Sequence, residues 1–215
     1  KRGRSDSVPV FFWSGGTEMK FTILMGSPRP QGNTAALLAP FLEECRFLGI
    51  QTQCIHLYDK KVGPCLGCMA CQDVPDSLGC VQKDDFAQIF QEMEDCDVIV
   101  LATPVYAFFC TAPMKALLDR AIYAGNKNYG RTKGAALLNG KRVASIVTCG
   151  YRPDRGADLW EEGLRRWCKH GKAEYLGMFC RRDLGKSVPF MDEEKESGVR
   201  DFAQAIYLSI RMEEV

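Results

Sequence analysis

The sequence predicts an α/β fold built as one domain: a doubly wound, parallel, five-stranded sheet with helices on both faces. Three observations carry that expectation. Five short runs are apolar almost throughout, as strands buried on both faces must be. Stretches of helical periodicity separate them, so each strand returns through a crossover helix. Between the first run and the first helix lies Gly26-Ser27-Pro28-Arg29-Pro30-Gln31-Gly32-Asn33-Thr34, a loop of small and hydroxyl residues. A helix start presents unpartnered N–H groups and the positive end of the helix dipole, which suits an anion.

In chain order, the strand candidates are Phe21–Met25, Thr52–Leu57, Val98–Ala102, Val143–Thr148 and Tyr175–Cys180. The first helix is expected over Thr34–Leu48. There Leu37, Leu38, Phe41, Leu42, Cys45 and Leu48 recur at helical spacing, and Gly49 supplies a C′ stop. Pro40 inside that run predicts a kink or an early irregular turn. Asp84 or Asp85 caps a second helix reaching about Asp95; Thr111 caps a third, with Pro113 near its first position. Asp154–His170 and Glu193–Arg211 read as the fourth and fifth. No repeat or low-complexity segment interrupts the pattern. Residues 1–18 read as an N-terminal extension or leader, basic at first and then carrying the short apolar patch Val10-Phe11-Phe12-Trp13. That patch is too short for a secretory h-region. The single domain is therefore expected over residues 19–215, beginning at Met19.

Composition narrows the function classes. A chain of 215 residues, 46% hydrophobic, buries a sizeable core. Its 28 basic and 27 acidic residues nearly cancel, giving +1, which argues against a dedicated nucleic-acid or anionic-membrane surface. No apolar run approaches the length needed to span a bilayer. Eleven cysteines, an odd number, fit free thiols, metal ligation or redox chemistry better than a disulfide framework, and imply a reducing cytoplasm.

The identity of the anion follows by elimination at named residues. A Walker A loop ends in Gly-Lys-Ser/Thr, whereas this chain has Gly32-Asn33-Thr34 and so lacks the lysine that reaches β and γ phosphates. The dinucleotide fingerprint Gly-x-Gly-x-x-Gly is absent as well. A cradle for one phosphate monoester remains, with Ser27 and Thr34 as hydroxyl donors, Asn33 as an amide and Arg29 as a fixed cation. On a five-stranded sheet of this kind, flavin mononucleotide is a natural occupant.

Three blocks together resemble one family. Gly26-Ser-Pro-Arg-x-x-Gly-Asn-Thr34 follows the first strand. Thr103-Pro104-Val105-Tyr106-Ala107-Phe108 follows the third, leading into Pro113-Met-Lys-Ala-Leu-Leu-Asp-Arg120. Thr148-Cys149-Gly150-Tyr151 follows the fourth. In that order, from Met19 to about Tyr151, they look like the loops of flavodoxin-like NADPH-dependent FMN reductases. The resemblance implies strand order 2-1-3-4-5, FMN as cofactor and NAD(P)H as electron donor. It also implies cofactor-binding residues Ser27, Arg29, Gln31, Gly32, Asn33 and Thr34 at the phosphate. Thr103, Pro104, Val105, Tyr106, Ala107 and Phe108 would then border the isoalloxazine, and Thr148, Cys149, Gly150 and Tyr151 its other edge. Tyr106 and Phe108 would form the aromatic wall, although core packing is the plainer reading of Phe109. A homodimer or homotetramer follows by the same analogy. The acceptor would be a small molecule or a ferredoxin-like protein. No side chain is required as a general acid or base, because the flavin carries the chemistry.

The cysteine loop decides which kind of redox protein this is. Cys65-Leu-Gly-Cys68-Met-Ala-Cys71, with Cys80 after eight further residues, lies between the second strand and the second helix. Three cysteines at two-residue gaps plus a more distant fourth is a spacing that wraps a [4Fe-4S] cluster. Structural zinc sites instead pair two Cys-x-x-Cys halves. The motif resembles that of the iron–sulfur flavoprotein branch of the same superfamily, in which the chain would be an electron carrier. The gap before Cys80, with Pro75 inside it, is longer than that resemblance implies. The alternative is a Pro-Cys-x-x-Cys loop that carries no cluster.

One competing motif is Cys149-Gly-Tyr-Arg-Pro-Asp-Arg155, the Cys-x5-Arg outline of a tyrosine-phosphatase cradle. Against it, Gly156 stands where Ser or Thr is expected, Pro153 removes an amide donor and no His precedes Cys149. Cys45, Cys54, Cys96, Cys168 and Cys180 fall on apolar positions and read as packing residues. The glycine- and lysine-rich connection from Ala124 to Gly140 is a candidate pocket rim or subunit contact.

Overall fold

The structure is a computed structural model and describes residues 19–129 and 133–213. Residues 1–18, read above as an extension, lie outside the described residues. Five strands, β1 (Lys20–Met25), β2 (Gln51–His56), β3 (Val98–Pro104), β4 (Arg142–Cys149) and β5 (Glu174–Arg182), form one sheet in the order β2-β1-β3-β4-β5. Every pairing is parallel. The helices are α1 (Asn33–Phe47), α2 (Phe86–Glu94), α3 (Ala112–Gly125), α4 (Pro153–Gly156), α5 (Asp158–Gly171) and α6 (Glu193–Glu213). This is the flavodoxin-like, doubly wound arrangement that the sequence predicts.

Side chains alternate across the sheet and divide the core in two. Phe21, Ile23, Val100 and Ile146 face α1 and α6, meeting Leu37, Phe41, Ala203 and Ile206. Leu24, Leu101, Val143 and Val147 face the opposite layer, where α2, α3 and α5 supply Phe90, Leu117, Trp160 and Leu164. Each such large apolar side chain, fully buried, contributes about 1.5–3 kcal/mol relative to exposure. β1, β3 and β4 are buried almost throughout, which is why their sequences read as unbroken apolar runs. β2 is an edge strand with Gln51, Thr52 and Cys54 exposed, so its sequence is mixed and Cys54 is not a packing residue.

Other details also depart from the sequence expectations. α1 runs through Pro40 without interruption, and the proline is buried within the helix. Gly49 adopts φ +74° after α1, the left-handed turn predicted for it, and its N–H returns to Arg46 O at 3.1 Å. The expected helix over Asp154–His170 is divided at Ala157 into α4 and α5. Thr111 precedes α3, but its hydroxyl does not cap the helix. It donates instead to Gly26 O at 2.6 Å.

Candidate functional site

The loops that follow β1, β3 and β4 meet at the carboxyl end of the sheet, across the point where strand order reverses. Each pair is tied by hydrogen bonding. Thr111 Oγ1 joins the β3 loop to Gly26 O of the β1 loop at 2.6 Å. Val105 N joins the β3 loop to Thr148 O at 2.8 Å. The Thr34 and Thr148 hydroxyls lie 2.9 Å apart, linking the start of α1 to the end of β4. A parallel α/β sheet binds its ligands in this position.

The first loop is compact because its sequence leaves room for nothing else. Ser27 Oγ accepts from Arg29 N at 3.2 Å, and Gly32 N donates to Arg29 O at 3.0 Å. A Cβ on Gly32 would lie 2.9 Å from Arg29 Cβ, and one on Gly26 would lie 3.0 Å from Thr111 Oγ1. α1 therefore starts from Gly32 with no side-chain cap and no acidic residue in its first turn. Its uncapped positive end fits an anion. Arg29 and Gln31 are exposed beside it, while the Thr34 hydroxyl is buried and committed to Thr148. The Thr34 hydroxyl thus already has one partner, and its backbone N–H stands in the uncapped first turn of α1.

The second loop folds back on itself. Tyr106 and Phe109 exchange backbone hydrogen bonds of 2.9 and 3.1 Å around Ala107 (φ +49°) and Phe108 (φ +71°). Two successive left-handed residues define a turn that normally takes Asn-Gly; here two side chains occupy it, at a cost of order 1–3 kcal/mol each. The result is an exposed aromatic rim of Tyr106, Phe108 and Phe109. Phe108 stacks on Tyr151 of the third loop, ring centroids 5.9 Å apart at 14°. The Asp183 amide and Arg182 Nε brace that loop from behind, donating to Cys149 O at 2.7 Å and Gly150 O at 3.1 Å.

Cys149 turns away from this rim. Its thiol is buried, donating to Tyr151 O at 3.1 Å and lying 3.6 Å from Cys180 Sγ. The contact with Cys180, aided by the Arg182 charge, holds the Cys149 thiol below its ordinary pKa despite burial. The same contact pushes Cys180 up. Arg155 is exposed, and a Cβ on Gly156 would lie 2.9 Å from Tyr151 Cβ. A buried thiol and an outward arginine do not make the phosphatase cradle outlined by Cys-x5-Arg.

The second candidate centre is the cysteine loop. Cys65, Cys68, Cys71 and Cys80 line one cleft together with Arg120 and Tyr123 of α3, and the cleft opens to solvent. Left-handed Gly67 (φ +63°), Met69 (φ +61°) and Gly79 (φ +65°) bend the chain around it. Gly79 has a steric reason too, since a Cβ there would lie 2.8 Å from Val74 Cβ. As they stand, no three His, Cys, Asp or Glu side chains among the described residues converge closely enough to hold a metal ion. A cluster would have to draw the thiols inward. The donor set itself, four thiols around one cleft, fits a thiophilic group.

Two buried cations adjoin the thiols. Arg120 is 1% exposed; Nη1 donates to Asp84 Oδ2 at 2.6 Å and Nη2 to Cys80 Sγ at 3.3 Å. Burial works to lower the guanidinium pKa, but the contacts with Asp84 and Cys80 outweigh it and hold the group firmly charged. Lys127 is fully buried. Burial alone pushes its pKa down, with Cys71 and Cys80 acting in the opposite sense. Burial also pushes the Cys71 thiol up. Of these neighbours only Arg120 belongs to a block that stands out in the sequence. Lys127 sits among asparagines in a connection with no periodicity, so nothing short of the fold reveals it.

The fold and the loop cluster define a flavodoxin-like α/β protein with an uncapped helix start at its loop cluster. Residues 19–177 match the model of the family described as NADPH-dependent FMN reductase. An iron–sulfur flavoprotein of Methanocaldococcus jannaschii is 39% identical over 188 residues, covering 79% of this chain and 95% of that protein. Another, from Archaeoglobus fulgidus, is 32% identical over 69% of this chain but 64% of its own length, so this chain spans less than two thirds of that relative. Among solved structures, an NAD(P)H:quinone oxidoreductase of Methanothermobacter marburgensis superposes with a TM-score of 0.64 at 16% identity, covering 88% of this chain and 98% of that one. The chain belongs to the NADPH-dependent FMN reductase family, in its iron–sulfur flavoprotein-like branch. By its description, that family's members reduce FMN with NADPH.

Proposed function

We propose that residues 19–215 form a single FMN-binding domain, with residues 1–18 as an extension, and that the three tied loops hold the cofactor. The single observation that carries this assignment is the hydrogen-bonded convergence of the three loops on the uncapped start of α1. The phosphate would lie against Ser27, Arg29, Gln31, Gly32, Asn33 and the Thr34 amide. Arg29 supplies a full charge where the helix supplies a partial one. Thr103–Phe108 and Thr148–Tyr151 would flank the ring system.

FMN, when bound, supplies the exchange between a two-electron donor and the acceptor. The chain's own residues bind, orient and shield. Arg182 and the Asp183 amide fix the backbone of Cys149 and Gly150, so that the third loop presents a constant edge. Tyr106, Phe108 and Tyr151 form an exposed aromatic surface on which a planar ring would stack. That surface suits a nicotinamide and a planar small-molecule acceptor in turn, and its exposure favours a homodimer or homotetramer that covers it. Eleven thiols, all free, accord with a reducing cytoplasm. No helix among the described residues is long and apolar enough to cross a membrane. The test is FMN uptake followed by NAD(P)H oxidation with a quinone as acceptor; a folded protein that takes up no FMN sinks the assignment.

A second reading rests on a separate observation. Four thiols line one cleft, and the relatives at 32–39% identity are named iron–sulfur flavoproteins. In this reading Cys65, Cys68, Cys71 and Cys80 bind a [4Fe-4S] cluster, and a ferredoxin-like protein becomes a suitable partner. Cys68→Ser should then lose iron and sulfide while keeping FMN. Equal iron in the parent and the variant would exclude it.

A further inference from the structure

Lys127 has no role in the flavin loops and makes no contribution to the apolar core, yet it is among the most deeply buried charged residues. It is 0% exposed. Its ammonium donates to Cys71 O at 2.8 Å and to Leu78 O at 3.0 Å, the two ends of the segment leading from the third cysteine toward the fourth. The surrounding strap is built to hold it there. Lys127 N donates to Ala135 O at 3.0 Å, and Gly134 N donates to Lys127 O at 2.9 Å. A Cβ on Gly134 would lie 2.8 Å from both Lys127 Cβ and Pro75 O, so glycine is required where the strap crosses the cysteine loop. Arg120, the other buried cation here, is paired with Asp84. Among the described residues Lys127 has no carboxylate partner, and the titratable groups that act on it are the Cys71 and Cys80 thiols.

A buried ammonium without a counter-charge is strongly unfavourable. The fold retains it, which calls for a negative charge at the place the ammonium faces. We propose that Lys127 is a positioning residue and fixed counter-charge for an iron–sulfur cluster bound by Cys65, Cys68, Cys71 and Cys80. The proposal rests on the cluster reading given above. By pinning both ends of the Cys71–Leu78 segment, Lys127 folds the long gap back so that Cys80 reaches the same cleft as the other three thiols. A thiolate-bound cluster is anionic and becomes more so on reduction, so a fixed cation nearby favours the reduced level. Net charge around a cluster is one of the levers by which a protein sets its potential.

The experiment uses the full chain, purified anaerobically, as parent, Lys127→Met and Lys127→Gln. Iron, sulfide, FMN content and the cluster midpoint potential are measured for each. Both variants should keep the parent's FMN content. Lys127→Met should lose its iron to a chelator about tenfold or more readily than the parent, as expected for an outer-shell partner. Lys127→Gln keeps a donor for one carbonyl but no charge, and should hold a cluster at a more negative potential. It decides the matter if Lys127→Met fails to fold. A Lys127→Gln potential equal to the parent's, or iron lost in Lys127→Gln and not restored in Lys127→Arg, overturns the proposal. A parent without iron or sulfide removes the cluster reading and this inference with it. A parent with a cluster and an unchanged Lys127→Gln removes this inference alone.

Discussion

Replacing Asp84 by asparagine tests the electrostatic frame of the cysteine cleft. The carboxylate serves three donors: Arg120 Nη1 at 2.6 Å, Gly63 N at 2.9 Å and Phe86 N at 3.2 Å. It thereby starts α2, anchors the segment leading to Cys65 and neutralises a guanidinium that is 1% exposed. An asparagine amide would point its own donors at two of those three. Removing one partner of a buried pair costs about 3–5 kcal/mol, because the other charge is left uncompensated. Asp84 keeps 17% side-chain exposure, so the lower end applies. For a domain of this size each kcal/mol moves the melting temperature by about 2–4 °C, so Asp84→Asn should melt roughly 6–12 °C below the parent at neutral pH.

The pH profile provides a second, independent readout of the same pair. Burial pushes the Asp84 pKa up, but the hydrogen bonds from Arg120, Gly63 and Phe86 outweigh it and leave it below its ordinary 3.8. A depressed carboxylate pKa stabilises the fold fully above the unfolded-state value and is lost as pH falls through the folded-state value. The parent should therefore lose part of its stability below about pH 3.8, and Asp84→Asn should lack that component. Thermal melts followed by circular dichroism across this range check both statements. A variant melting within about 2 °C of the parent at neutral pH, with the same acid slope, would refute the reasoning.

Other expectations concern the flavin loops. Arg29→Ala should weaken FMN binding about 10–100-fold, the loss of one charge-assisted contact, with an unchanged melting temperature of the FMN-free protein; fluorescence titration measures it. Thr111→Val removes the 2.6 Å bond to Gly26 O and should cost about 1 kcal/mol of stability as well as FMN affinity. Ala107→Gly relieves the φ +49° strain and should be neutral or stabilising by up to about 1 kcal/mol; a loss greater than that would show that the turn is not strained. Cys149→Ser should leave phosphate-ester hydrolysis at background in parent and variant alike.

Much of the fold was legible because the sheet is buried on both faces. Val98–Leu101 and Val143–Val147 carry no alternation to misread, and Gly49 marks the end of α1 by its φ alone. Failures came where tertiary contacts overrode local preference. Pro40 lies buried inside α1 where that helix packs against α6, so tertiary packing prevails over its helix-breaking tendency. Thr111 stands at a helix start, yet a carbonyl in another loop claims its hydroxyl. The Ala107–Phe108 turn has none of the glycine or asparagine that signals such a turn in sequence. The candidate site was visible as three blocks, but not the bonds between them, since Thr34 and Thr148 are 114 residues apart. Lys127 was invisible for the same reason: its partners Cys71 and Leu78 lie 56 and 49 residues away.

The most direct test of the whole account is the anaerobic absorption spectrum of the purified chain before and after addition of NAD(P)H. Flavin bands that bleach on addition, over a broad iron–sulfur absorbance that Cys68→Ser abolishes, are the predicted result. A colourless protein that is folded, acquires no FMN and leaves NAD(P)H unoxidised would contradict the account at its centre.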